Sequence, residues 1–397
     1  MLPGGWYLFR HGHAADITSE HVAAWLRFGQ SRVTGRFTLA VPVVPPRYAT
    51  DAMIRTAAID PADRKLYAEM PASVRAETMS LNLGNANLTV PVAGAGAFRP
   101  LSDLLLSHAR IEPGGADERN LGHLMSASCC PRLRRLWLEH ITGLAALRLH
   151  AAAALEELRL NHVQGLTTLE LDAPGLRALH VAGCYRMVDV GSTARISAPM
   201  LEVMACADTC PPDGLQFDGA ASVRLLEKMF LWSHAPDEHW NAGAVWLLQH
   251  CTAADSLSVD IACFENDTCS EAGCLCNLDD DPTITLEHLR EVKITGFPSS
   301  MYHRSLVQLM ITGAPALEKM TVELIKDPLS KGQNDSKDPG FNMTCKGQWA
   351  PPISGRSPGH RNVTIYEWEA DAKREEGREG LDGLALSRWV GDGKQVL

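Results

Sequence analysis

LRRLWL at 133–138, LAALRL at 144–149, LEELRL at 155–160, LTTLEL at 166–171, LRALHV at 176–181 and LEVMAC at 201–206 are six copies of one pattern. Each copy is an apolar residue, two free positions, an apolar residue, one free position and a final apolar residue. Successive copies start 11, 11, 11, 10 and 25 residues apart, and a fixed period is the mark of a repeat architecture. The last three positions alternate inward and outward, as a half-buried strand does. A helix needs apolar residues three and four apart, and a unit of 11 residues with its own turn leaves no room for one. Each unit therefore reads as a short strand and a turn, and the chain as a solenoid.

Leucine-rich repeats have one strand per coil and run roughly 20–29 residues. At half that spacing, two units make one coil, and strands from alternate units stack in two parallel sheets. Residues 22 apart then become neighbours: Arg135 with Glu157, Trp137 with Arg159, and Glu139 with Asn161. The second sheet sets Arg148 beside Glu170 and His150 beside Asp172. No like-charged pair results, as complementary cross-strand pairing requires. The expected fold is α/β: a leucine-rich-repeat solenoid of parallel strands, with tight two-strand coils around 133–206 and irregular helix-containing coils on either side.

Outward from this core the pattern loosens. A helix is expected from Thr18, capped by Thr18 or Ser19, with Val22, Ala23, Trp25, Leu26 and Phe28 as its apolar stripe. Phe37, Leu39 and Val41 alternate as a strand. Helices are expected at 51–58 and after Pro61, strands at 79–83 and 101–106, a turn at 111–118 and a helical turn at 121–128. Ala-Pro-x-Leu recurs at Ala173, Ala198 and Ala314; proline at the start of a strand is tolerated because its missing N–H lies outside the ladder. Beyond Cys206, strands are expected at 223–230, 257–261, 289–294 and 317–322, with helices at 241–251 and 305–312. The domain reading is an N-terminal segment 1–17, repeats 18–326, and a tail 327–397 rich in Pro, Gly, Ser and charge, expected to be disordered apart from a strand at 363–368.

Thirty-seven basic against 47 acidic residues give a net charge of −10. That excludes the basic face of a nucleic-acid binder. No apolar run reaches the roughly 18 residues of a membrane span, and the start of the chain has no signal-peptide core. The 11 cysteines read as reduced thiols, and the sequons at Asn87, Asn266, Asn342 and Asn362 carry no meaning without secretion. The expected compartment is cytoplasmic, nuclear or both.

Several stretches resemble the repeat region of plant F-box proteins, the grass-type F-box/leucine-rich-repeat group related to those with an FBD domain. They are AAWLRF at 23–28, CCPRLRRLWLEH at 129–140, DAPGLRALHVAGC at 172–184, ISAPMLEVMAC at 196–206 and LQFDGAASVRLLEKMFLW at 215–232, followed by LEHLREVKITGF at 286–297 and APALEKMTVEL at 314–324. The resemblance implies a non-enzymatic module that holds a protein substrate for a cullin-type ubiquitin ligase. That family opens with a three-helix F-box beginning Leu-Pro. Here Leu2-Pro3 runs into Gly-Gly-Trp, so the F-box is expected to be missing. Engagement of the ligase adaptor is then in question, and the alternative is a truncated competitor or a non-functional derivative.

Motifs for chemistry are weak. Arg10-His11-Gly12 after Tyr7-Leu8-Phe9 resembles the start of the histidine phosphatases, a three-residue match that makes His11 a remote catalytic candidate. Cys263, Cys269, Cys274 and Cys276 lack the two paired sets of structural zinc and read as loop thiols. Asp279, Asp280 and Asp281 lack the spacing of a calcium loop. His11, His13 and His21 share no ligand spacing. No metal, cofactor or catalytic residue is expected. The candidate partner-binding face is the outward column Trp137, Arg159 and His180 with Arg135, Glu139, Glu157 and Asn161, because tryptophan and arginine dominate interface energetics. The competing reading is that Arg159 merely stacks on a shielded Trp137.

Overall fold

The apolar residues of the six copies dictate what the chain does in three dimensions. In a computed structural model describing residues 17–42, 66–92, 94–112, 115–150, 152–184, 192–207, 214–232, 239–262, 285–298, 313–325 and 345–347, the chain is α/β. It divides into two units: Met1–Leu201 with Cys210–Gly219, and Glu202–Thr209 with Ala220–Leu397.

In the first unit, strands β5 (Arg135–Thr142), β6 (Ala146–Leu149), β7 (Glu157–Asn161), β8 (Thr168–Asp172) and β9 (Ala178–Ala182) follow one another closely. They go alternately to two parallel sheets. β7 pairs with β5 and β9, matching Leu136 to Leu158 to Leu179 and Leu138 to Leu160 to Val181. β8 pairs with β6, matching Leu147 to Leu169 and Leu149 to Leu171. β10 (Thr193–Ser197) and β12 (Leu215–Asp218) extend this second sheet. The two-sheet coil and its 22-residue register are as the spacing predicts. Leu136, Leu138, Leu147, Leu149, Leu158, Leu160, Leu169, Leu171 and Leu179 are all buried, none more than 3% exposed. Burying each is worth about 1.5–3 kcal/mol.

In several units the leucine that opens the pattern serves the turn before the strand. Leu155, Leu176 and Leu201 donate their N–H to the carbonyls of Ala152, Ala173 and Ala198. In Ala-Pro-x-Leu the proline therefore occupies the second position of a four-residue turn, where its fixed φ is favoured. Gly175, the next residue, lies so close to the preceding coil that a Cβ would come within 2.5 Å of the Ala153 carbonyl oxygen.

Before the tight coils, β1 (Arg36–Ala40), β3 (Thr78–Thr89) and β4 (Asp103–Arg110) continue the sheet of β5 in parallel, and β2 (Tyr67–Glu69) adds to the far half of β3. Helix α1 (Ser19–Arg32) begins at a capping box in which Thr18 Oγ1 accepts from the His21 N–H and His21 Nδ1 accepts from the Thr18 N–H. Its buried stripe is Val22, Leu26 and Gly29. Phe28, expected inside, is 51% exposed. The Phe37 ring takes the space instead, lying 2.5 Å from where a Cβ on Gly29 would sit. Helix α2 (Ala116–Leu124) starts inside the stretch expected to be a turn. It packs against β6, the end strand of the second sheet, and so covers an edge that would otherwise carry unpaired backbone groups.

In the second unit, β11 (Val203–Cys206), β13 (Leu225–Trp232), β14 (Ser256–Ala262), β15 (Glu291–Pro298) and β16 (Lys319–Ile325) run parallel in that order, with α3 (His239–His250) packed on β13. A final strand β17 (Cys345–Gly347) pairs antiparallel with β16 and lies within the tail expected to lack structure. The helices expected at 51–58, after Pro61 and at 305–312, the strand at 363–368 and the N-terminal segment through residue 16 lie outside the described residues. Among the described residues no helix is long and apolar enough to cross a membrane.

Leu158 faces Leu136 and Leu179 from the middle strand of three and is fully buried. Leu158→Ala is expected to cost about 2–5 kcal/mol in chemical denaturation. A change within about 0.5 kcal/mol, the usual range for surface substitutions, would put Leu158 on the wrong face.

Candidate functional site

The outward residues of β4, β5, β7 and β9 form three rows, because parallel strands in register place equivalent side chains side by side. The first row is Asp103, Arg135, Glu157 and Ala178; the second is Leu105, Trp137, Arg159 and His180; the third is Ser107, Glu139, Asn161 and Ala182. The structure thus brings all seven expected site residues onto one sheet face. Their partners differ from the expectation in two respects.

First, Arg135 stands beside Glu157 in the ladder as expected, but its side chain bonds elsewhere. Its guanidinium donates to Asp103, which also accepts from Ser102 Oγ at 2.7 Å and Thr78 Oγ1 at 3.3 Å. The two hydroxyls hold the Asp103 carboxylate where the Arg135 guanidinium meets it. Burial by itself would raise the Asp103 carboxyl, but the hydrogen bond and charge of Arg135, with the two hydroxyls, hold it below its ordinary value. Glu157 instead accepts from Arg159, two residues along its own strand. Second, Trp137 is half-buried rather than exposed. Arg159 sits over its ring, with Cζ 5.1 Å from the centroid. The Trp137 indole N–H is buried with no acceptor among the described residues, a costly arrangement for a structural tryptophan. A cation over a ring at a half-exposed site is worth about 0.5–1 kcal/mol, so Arg159 can be drawn away at modest cost.

On the other sheet, Arg148 reaches Glu170 at 3.2 Å as expected, but His150 also turns to Glu170, at 3.7 Å, and not to Asp172. Glu170 lies between the Arg148 guanidinium and the His150 imidazole. At the strand starts of the first sheet, an open trough of about 650 Å³ is lined by Glu77, Arg132, Arg134, Glu156 and Arg177 among others. Arg134 and Glu156 close on each other across it at 2.7 Å.

One cluster escaped the sequence reading. His108, His140 and His162 stand at the same phase of consecutive coils, and their rings stack with centroids 4.7 and 4.9 Å apart. The signal was present in SHA at 107–109, EHI at 139–141 and NHV at 161–163, each a polar residue, a histidine and an apolar residue just past the alternating strand. Another pair, Cys129 Sγ and His123 Nε2 at 3.5 Å, has the composition of a nucleophile and base, but Cys129 is fully buried. Burial pushes the thiols of Cys130 and Cys251 up to about 12, so both stay protonated and unreactive.

Among the described residues no three His, Cys, Asp or Glu side chains are placed to hold a metal ion. His11, His13, the cysteines at 263, 269, 274 and 276, and Asp279, Asp280 and Asp281 lie outside them. His21 is accounted for by the helix cap and by its stacking on Trp25 at 5.8 Å. The first sheet thus presents an aromatic surface with a guanidinium over it, flanked by the Asp103 and Glu157 carboxylates that Arg135 and Arg159 hold. No protein family, curated protein or solved structure matches this chain. What defines it is the scaffold, a parallel sheet built by close repetition that presents a ladder-like face.

Because the folded value of Asp103 is depressed, its contribution to stability is present above the unfolded carboxylate value of about 4 and is lost as the pH falls below it. Asp103→Asn is expected to lower the melting temperature at pH 7 and to flatten the acid limb below about pH 4. An unchanged acid limb would mean that the Arg135 pair forms no part of the fold's acid sensitivity.

Proposed function

We propose that the chain is a non-enzymatic protein-recognition module of the leucine-rich-repeat kind, akin to the substrate-holding half of F-box receptors. The observation that carries this reading is the second row of the first sheet, in which Arg159 lies over the half-buried Trp137 with Leu105 and His180 in register on either side. Tryptophan and arginine at the middle of a rigid face, ringed by polar groups, have the composition of an interface hot spot. The buried indole N–H without an acceptor favours the same reading, since a partner's carbonyl or carboxylate that displaced Arg159 would gain a donor that the free protein leaves unused.

The partner is a protein, met along an extended surface, because a repeat scaffold binds through its faces and edges. The seven residues Arg135, Trp137, Glu139, Glu157, Arg159, Asn161 and His180 form the contact. The buried, protonated thiols of Cys130 and Cys251 fit a reducing compartment, the cytoplasm or nucleus. Whether the module works as a ligase receptor or as a competitor of one turns on adaptor binding, which co-purification of the adaptor with the tagged full chain decides.

The test compares binding of captured partners by wild type, Trp137→Ala and, on the opposite sheet, Arg148→Ala. Trp137→Ala is expected to weaken binding by about 2 kcal/mol or more with the melting temperature nearly unchanged, and Arg148→Ala to do neither. Loss of binding in Arg148→Ala alone would move the site to the other sheet.

A further inference from the structure

His108 and His140 lie near the C-terminal ends of β4 and β5, His162 directly follows β7, and each has a positive φ, of 50°, 52° and 52°. Histidine is among the few residues other than glycine that enter this region readily. The bend aligns the three rings one coil above the next, with centroids 4.7 and 4.9 Å apart and planes inclined by 23° and 15°. This is the coil spacing itself, so the backbone enforces the stack. Gly183 ends it: at φ 66° it stands at the same phase of the next coil, and a Cβ there would collide with His162 Nδ1. The unusual backbone thus recurs on four consecutive strands of the sheet, and three of them carry imidazole.

Neutral imidazoles at this distance attract, as offset aromatic rings do. Imidazolium rings in the same place repel, and His108 cannot easily hydrate its charge, because its Nδ1 is buried with no acceptor among the described residues. We propose that the histidine stack is a pH-sensitive clamp of the first unit, closed when its imidazoles are neutral and splayed when they are protonated, so that the C-terminal ends of β4, β5 and β7 loosen in mild acid.

The surrounding charges leave this balance to the stack. β3 carries no ionisable side chain. From β5, Glu139 and His140 face His108. Asp103 is taken up by Arg135, and Glu157 by Arg159; β4 also carries Arg110, and β9 carries His180 in the second row. Burial first, and then the charge of His140, push the His108 imidazole below its ordinary value, while Glu139 pulls weakly the other way. A histidine depressed in the folded state stabilises fully above the unfolded value of about 6.5, and its contribution falls as the pH drops from there toward the folded value. The sign is opposite to that of a salt-bridged histidine.

The experiment uses the full chain. Imidazole Cε1–H resonances are followed by NMR from pH 8 to 5, with each ladder signal assigned by its loss in the matching His→Asn variant, asparagine being chosen because it tolerates positive φ. In the wild type, His108 is expected to titrate below about 6.5, and to move up toward that value in His140→Asn. In parallel, the fall in melting temperature between pH 7.5 and 5.5 is expected to be roughly 2–4 °C larger in the wild type than in the triple variant His108→Asn, His140→Asn, His162→Asn. A wild-type His108 titrating at or above about 6.5, or one unmoved by His140→Asn, overturns the proposal. Superimposable melting profiles of wild type and triple variant overturn it equally. The wild-type titration decides the matter even if the triple variant does not fold.

Discussion

The stacking of leucines one coil apart, 22 or 21 residues along the chain, is the constraint on which the first unit depends. Leu136, Leu158 and Leu179 lie in one file and Leu147 and Leu169 in another, and no single coil can bury its own members. Each coil is supported by the next, so stability accumulates from neighbour to neighbour. The turn leucines and the close approach of Gly175 to the Ala153 carbonyl set the coil spacing. That spacing in turn decides what the outward side chains can do. The three ordered rows, the guanidinium over Trp137 and the stacked imidazoles are all consequences of one repeat distance.

Side-chain partners on the face are chosen by preorganisation and not by register alone. Arg135 stands directly beside Glu157 in the ladder, yet it bonds to Asp103, whose carboxylate two hydroxyls already hold in place. Glu157 is then left to Arg159, and this keeps the guanidinium near the Trp137 ring. Half-exposed ion pairs are individually weak. Their effect here is to orient Arg159 over the tryptophan, which gives the face its one aromatic and cationic centre.

The sequence declared its period, its two-sheet coil and the seven-residue face, because side-chain alternation in a strand is rigid and the tight coils have constant length. It did not declare what depends on coils of other lengths. Asp103 is 32 residues from Arg135, across a coil that holds α2, so no fixed offset pointed to it. The burial of Gly29 in place of Phe28 needed knowledge of where Phe37 would lie. The histidine stack was written in three short, similar triplets, but its meaning required the positive φ that brings the rings together. The nature of the partner is a different matter: outward residues of a repeat are free of folding constraints, so the period that fixes the fold carries no information about it.

The account stands or falls on the alternation of strands between two sheets. Amide-to-amide NOEs in the deuterated protein report strand neighbours directly. The account predicts contacts between the segments around 136 and 158, 158 and 179, and 147 and 169, all with parallel register. Contacts joining 135–142 to 146–149, or 146–149 to 157–161, as antiparallel neighbours in a simple meander would contradict it, and with it the face on which the function has been placed.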